Sequence, residues 1–127
     1  MLSLIAAVLL VLVGLFHSVL GGQRLIAPIV AREDLPAILG SRTMSRVTLR
    51  AGWHLLTVMW FALAAILVLD QLAVAEFRQL TLGVLGGTFV FCGVMALILS
   101  RGKHLSWAFF FPIGGILLWQ RILAAAG

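Results

Sequence analysis

The sequence predicts an all-α membrane protein: a four-transmembrane-helix bundle with a short interfacial helix in its first connection. Three observations carry this. The 127 residues are 63% hydrophobic and only 10% charged, and the mean hydropathy of +1.19 is far above that of a soluble domain. The apolar residues gather into four charge-free runs, 1–23, 51–69, 79–100 and 104–120, each near the ~20 residues a helix needs to cross a bilayer. The runs do not alternate; blocks such as 5–13 and 61–69 are apolar all round, as lipid-facing helices are and barrel strands are not.

Taken in order, residues 1–13 lack a basic leader and a small-x-small cleavage site, so the first run is expected to be a span, over 2–22. The polar connection that follows is punctuated by Pro28, Pro36 and Gly40. Asp34 is expected to cap a short amphipathic helix over 35–39, with Pro36 in its first turn and Gly40 ending it, lying on the membrane surface. Ser41 or Ser45 then caps the second span, 47–69. In the third span, 79–100, Gly83 and Gly87 form a small-xxx-small pair with Gly86 beside them and Gly93 further on, which allows close approach of a neighbouring helix. Pro112, Gly114 and Gly115 are expected to kink or loosen the fourth span, 105–123. Together the spans make a single transmembrane domain over 1–127. No soluble domain has room, and no Gly-rich phosphate loop follows a strand.

The basic residues set the orientation. Arg24, Arg32, Arg42, Arg46 and Arg50 fall in or beside the first connection, with Arg101 and Lys103 in the third. The other side has only Arg78 and Arg121, beside Asp70 and Glu76. The positive-inside rule makes the first and third connections cytoplasmic and places both termini outside. Membrane lipids with anionic headgroups are the expected partners of this flank; nucleic acid is not, since no basic soluble module is present. A single cysteine, Cys92, sits in an apolar run, which excludes thiol-relay chemistry and suits an inert buried thiol.

Two groups of residues are candidates for chemistry. His17, His54 and His104 come from three different spans and, in this topology, from one membrane level. They are candidates for a transition-metal site with an open position, or for haem ligation, with Ser18, Thr57 and Ser106 near enough in sequence to support them. Histidines at a headgroup boundary are equally at home with no ligand. Arg42, Arg46, Arg50 and His54 repeat every four residues, and each step drifts by about 40° around the helix. This basic stripe either snorkels into lipid phosphates or binds a lipid headgroup or another anion. Trp53 and Trp107 mark the cytoplasmic interface and Trp119 the opposite one. Trp60, a heptad after Trp53, and Phe109, Phe110 and Phe111 form either a wall for a flat apolar ligand or ordinary packing.

The segments His17-Ser18-Val19-Leu20-Gly21, Trp53-His54-Leu55-Leu56-Thr57 and Arg101-Gly102-Lys103-His104-Leu105-Ser106-Trp107 resemble those of a group of small bacterial four-span integral membrane proteins of unassigned function. The resemblance implies a bacterial inner-membrane location and some importance for the three histidine segments. That group is expected to carry an acidic residue where this chain has Gly22, which removes a carboxylate role at that position. Small multidrug exporters are similar in length, but they depend on a glutamate in the first span that this chain lacks.

The sequence-level expectation for function is therefore a non-catalytic bundle acting as a homo-oligomer or as an accessory subunit of a larger membrane complex. The alternatives are a metal- or haem-binding protein built on the three histidines, and a binder of lipid or another anionic ligand through the Arg stripe.

Overall fold

A computed structural model describes residues 1–126, and among them it is all-helical, with four helices long and apolar enough to cross a membrane. We number these α1 (Leu2–Ala31), α2 (Arg42–Gln71), α3 (Phe77–Ser100) and α4 (Trp107–Ala126). The chain is thus built as a multi-pass membrane protein. Large apolar side chains of all four helices remain exposed, among them Leu9, Leu63, Ile98 and Phe109, the surface that lipid covers.

The first helix continues past residue 22. It is α-helical over Leu2–Phe16, takes π geometry over His17–Ile26 and returns to α geometry over Ala27–Ala31. Pro28 falls in the first turn of the closing segment, where a missing N–H disturbs least. A ten-residue π segment is unusual, because π geometry is mostly confined to single turns, often at functional sites.

The interfacial helix expected over 35–39 does not form. Leu39 and Gly40 both have positive φ, +50° and +74°, and bend the chain into a tight turn that pairs Ile38 with Ser41. Consecutive left-handed residues are what such a two-residue turn requires, and they cannot sit in a helix. Asp34 caps nothing; its carboxylate takes two hydrogen bonds from Arg32, at 2.8 and 2.6 Å. The turn is pinned to α2 by Ser45, whose hydroxyl accepts from Ile38 N–H at 3.2 Å and donates to the Pro36 carbonyl. Ser41 does cap α2, accepting from Met44 N–H at 3.4 Å.

Each helix packs on its neighbours in the chain, α1 on α2, α2 on α3 and α3 on α4, while among the described residues α4 meets neither α1 nor α2 backbone to backbone. The four therefore stand as an open row. Glycines set the spacing of two seams. Between α3 and α4, a Cβ at Gly86 would lie 2.8 Å from Leu118 Cγ, and one at Gly114 would lie 2.9 Å from the Gly86 carbonyl. Gly93 similarly seats the Phe111 ring. Between α1 and α2, Gly14 seats Phe61 and Gly21 seats Trp53, with the missing Cβ only 2.7 and 2.6 Å from the ring carbons. The helix carries Pro112 inside it without interruption.

Candidate functional site

The π segment of α1 lies against the His54 turn of α2. His17 and Trp53 clasp each other there. The His17 ring stacks on the Trp53 indole with centroids 3.8 Å apart and planes 11° from parallel. Its Nε2 reaches the Trp53 carbonyl at 3.1 Å, and Trp53 Nε1–H donates to the His17 carbonyl at 2.9 Å. A carbonyl only accepts, so Nε2 carries the proton. Trp60 meets the imidazole edge-on, with ring centroids 4.9 Å apart. His17 is therefore enclosed by aromatic rings and committed to a backbone carbonyl.

Ser18, the next residue, starts a chain of hydroxyls. Its Oγ lies 2.9 Å from His54 Nδ1 and 2.9 Å from Thr57 Oγ1, and Thr57 in turn donates to the Gly14 carbonyl at 3.5 Å. Each hydroxyl has one proton to give. The arrangement that satisfies all three contacts has Thr57 donating to Gly14, Ser18 donating to Thr57 and His54 donating from Nδ1, which leaves a lone pair on Nε2. Thr57 is buried while His54 is exposed at the helix surface, so the relay runs from the protein interior out to one imidazole.

His54 and Arg50, one turn apart, together line two adjoining grooves. One, about 280 Å³, lies between α1 and α2 and is edged by Ser18, Gly22 and Gln23. The other, about 390 Å³, lies between α2 and α3 and is walled by Leu55, Val58, Phe91, Met95 and Leu99. Arg50 ends the charge-free stretch 51–69 of α2, which at 1.5 Å per residue spans about 28 Å, the thickness of a bilayer's hydrocarbon. Arg50 consequently flanks a stretch of bilayer thickness, with His54 about 6 Å along it.

The Arg stripe is divided among three tasks. Arg46 turns back to the end of α1, donating from Nε to the Val30 carbonyl at 2.8 Å and from Nη2 to the Arg32 carbonyl at 3.1 Å. Those are among the carbonyls a helix C-terminus leaves without partners. Arg42 is exposed near the Asp34 turn. Arg50 has no ion-pair partner among the described residues.

His104 stands apart. Its Nδ1 accepts from Ser106 N–H at 3.4 Å and lies 2.9 Å from Ser106 Oγ, while its own N–H donates to Ser100 Oγ at 3.1 Å. Trp107 Nε1–H closes the same turn onto the Gly102 carbonyl at 3.2 Å. These bonds shape the α3–α4 connection, and a smaller pocket of about 160 Å³ adjoins it against Thr48 and Gly52 of α2. Among the described residues no group of three His, Cys, Asp or Glu side chains is placed to hold a metal ion. The structure brings His17 and His54 to one seam and does not bring His104 to them. The aromatic residues divide in the same way: Trp53 and Trp60 enclose His17, whereas Phe110 and Phe111 pack at the α3–α4 seam against Phe89 and Trp107.

Several residues of the site had no signal of their own in the sequence. Phe91, Met95 and Leu99 read as ordinary span residues, and Gln23 as a span end. Gly14 and Gly21 were legible in principle, lying one heptad apart on the face that carries Ser18, as small residues at a helix seam do. Gly83 and Gly86 are occupied within the chain, against Arg121 and Leu118 of α4, whereas Gly87 faces open space. Comparison with protein-family models, with curated proteins and with solved structures returns no match to this chain.

Proposed function

We propose that this chain is a non-catalytic multi-pass protein of the bacterial inner membrane that holds an anionic amphiphile at Arg50 and His54. The observation that carries the reading is a guanidinium with no ion-pair partner among the described residues, next to an exposed imidazole, the two shared by two grooves of different character. The groove between α1 and α2 offers Ser18 and Gln23 to a polar head. The groove between α2 and α3 offers only apolar walls below Arg50 and His54, which suits an acyl chain. An Arg at the boundary binds phosphate oxygens with two parallel N–H bonds, a geometry Lys cannot reproduce. Seven basic residues on the Arg50 side against two on the other support a cytoplasmic site with both termini on the opposite side.

The reading is tested by native mass spectrometry of protein released from mixed phosphatidylcholine and phosphatidylglycerol membranes. Wild-type protein should retain the anionic lipid preferentially. Arg50→Gln should abolish the preference, while Arg42→Gln, which changes an equal charge away from the grooves, should leave it intact. Equal retention by wild type and Arg50→Gln would overturn the proposal.

A further inference from the structure

We infer that ligand binding at this site is coupled to proton uptake by His54, so that the site holds its anion more tightly as pH falls. The inference rests on the proposed anion site, and its geometry is that of the hydroxyl relay. The arrangement that satisfies all three contacts at once has Thr57 donating to Gly14, Ser18 donating to Thr57 and neutral His54 donating from Nδ1. Its Nε2, beside Gly22 and 4.0 Å from where a Cβ on that residue would sit, then presents a lone pair to the groove. A lone pair repels an anionic oxygen. Protonation turns the same atom into a charged N–H donor without moving the ring, since the Nδ1–H bond to Ser18 is made in both states.

The charged neighbours leave the switch to this one group. Among the described residues of α2, the cation that lines the grooves with it is Arg50. From α1 the facing groups are Ser18, Gly22 and Gln23, and from α3 they are Phe91, Met95 and Leu99, none of which titrates. His17 is turned away and bound to the Trp53 carbonyl. An anion lying between Arg50 and a protonated His54 is attracted to both, so proton and anion favour each other's binding, by reciprocity to the same extent.

Phosphatidylglycerol is the suitable probe, because its phosphodiester keeps a single charge across the relevant pH range and does not itself titrate. Full-length protein in phosphatidylcholine nanodiscs, titrated with this lipid, should bind at least tenfold more tightly at pH 5.5 than at pH 8. His54→Gln should bind with less than twofold change over that range, and His104→Gln should keep the wild-type slope. A second measurement needs no variant: nitrogen-15 spectra of labelled imidazoles at pH 7 should show His54 Nε2 passing from unprotonated to protonated when the lipid is added. Binding of the lipid with no pH slope in wild type, a slope that survives in His54→Gln, or an unprotonated Nε2 in the bound state would each overturn the inference while leaving the anion site standing. Absence of preferential lipid binding at any pH would remove the anion site itself.

Discussion

Replacing Gly21 by Ala tests the seam on which the site depends. An ideal Cβ at that position lies 2.6 Å from Trp53 Cζ2 and 3.3 Å from Cε2, whereas carbon atoms in contact sit at about 3.5–4.0 Å. The indole must therefore give way by roughly 1 Å. It has little freedom to do so, because it is stacked on His17 at 3.8 Å and bonded to the His17 carbonyl at 2.9 Å. Either the clasp opens or α1 moves off α2. Overpacking of this kind costs about 1–3 kcal/mol, and a strained or lost interhelical hydrogen bond adds about 0.6 kcal/mol. The expected loss is about 2–3 kcal/mol in reversible denaturant unfolding in detergent, followed by circular dichroism. Gly87→Ala is the matched control: it makes the same change in a spanning helix, but nothing lies within 4 Å of the added methyl. That variant should unfold at the wild-type midpoint or somewhat above it, since Ala favours a helix over Gly. A Gly21→Ala protein within about 0.5 kcal/mol of wild type, or an equal loss in both variants, would refute the argument that Trp53 is seated on bare backbone.

Three further expectations follow from the connections. Arg46→Gln should lose about 1–2 kcal/mol in the same unfolding assay by freeing the Val30 and Arg32 carbonyls, whereas exposed Arg42→Gln should stay within about 0.5 kcal/mol of wild type; equal effects would contradict the assigned division of the stripe. Arg101 ends α3 at φ +51°, with Gly102 N–H bonded to the Leu97 carbonyl at 2.8 Å, the left-handed helix end where glycine is preferred; Arg101→Gly should raise stability by about 0.5–1 kcal/mol, and a loss would count against that backbone conformation. The Arg32 guanidinium, helped by the charge of Arg42, holds the Asp34 carboxyl below the usual carboxylate range. A lowered folded value means that the ion pair contributes above the ordinary range and is lost as pH falls through the folded value. Both partners are largely exposed, so the readout is an NMR titration of Asp34 rather than stability, and Arg32→Gln should move its titration back upward. Titration of wild-type Asp34 at an ordinary value would show the pair to be unpopulated.

The four helices were legible because a bilayer leaves the backbone no alternative: nineteen charge-free residues between Arg50 and Asp70 can cross only as a helix. The Ser41 cap was legible for an equally local reason, a hydroxyl just ahead of a helix's unpaired N–H groups. The connection over 35–39 was misjudged because Pro36 and Gly40 punctuate a short helix and a tight turn equally well. The choice fell to side chains outside the segment, Arg32 just ahead of it for Asp34 and Ser45 of α2 for Pro36 and Ile38. The three histidines are expected at one membrane level, but level is not proximity. His17 and His54 come to one seam because α1 and α2 are neighbours, whereas His104 follows α3 and is held by Ser106 at another connection.

The Arg stripe shows most clearly what periodicity omits. Arg42, Arg46 and Arg50 are equivalent by spacing, and nothing local distinguishes them. Their roles are decided by the length of α1, which continues nine residues beyond the expected end at 22, to Ala31. Its last turn then reaches the level of Arg46 and presents unpaired carbonyls there, so Arg46 becomes a structural clamp. Toward Arg50, α1 presents Gly22 and Gln23 across the groove, and among the described residues no hydrogen bond joins them to Arg50. A span ending at 22 would have left Arg46 and Arg50 alike. The extension through π geometry therefore separates Arg46, which it binds, from Arg50, which has no hydrogen-bond partner among the described residues and lies next to His54.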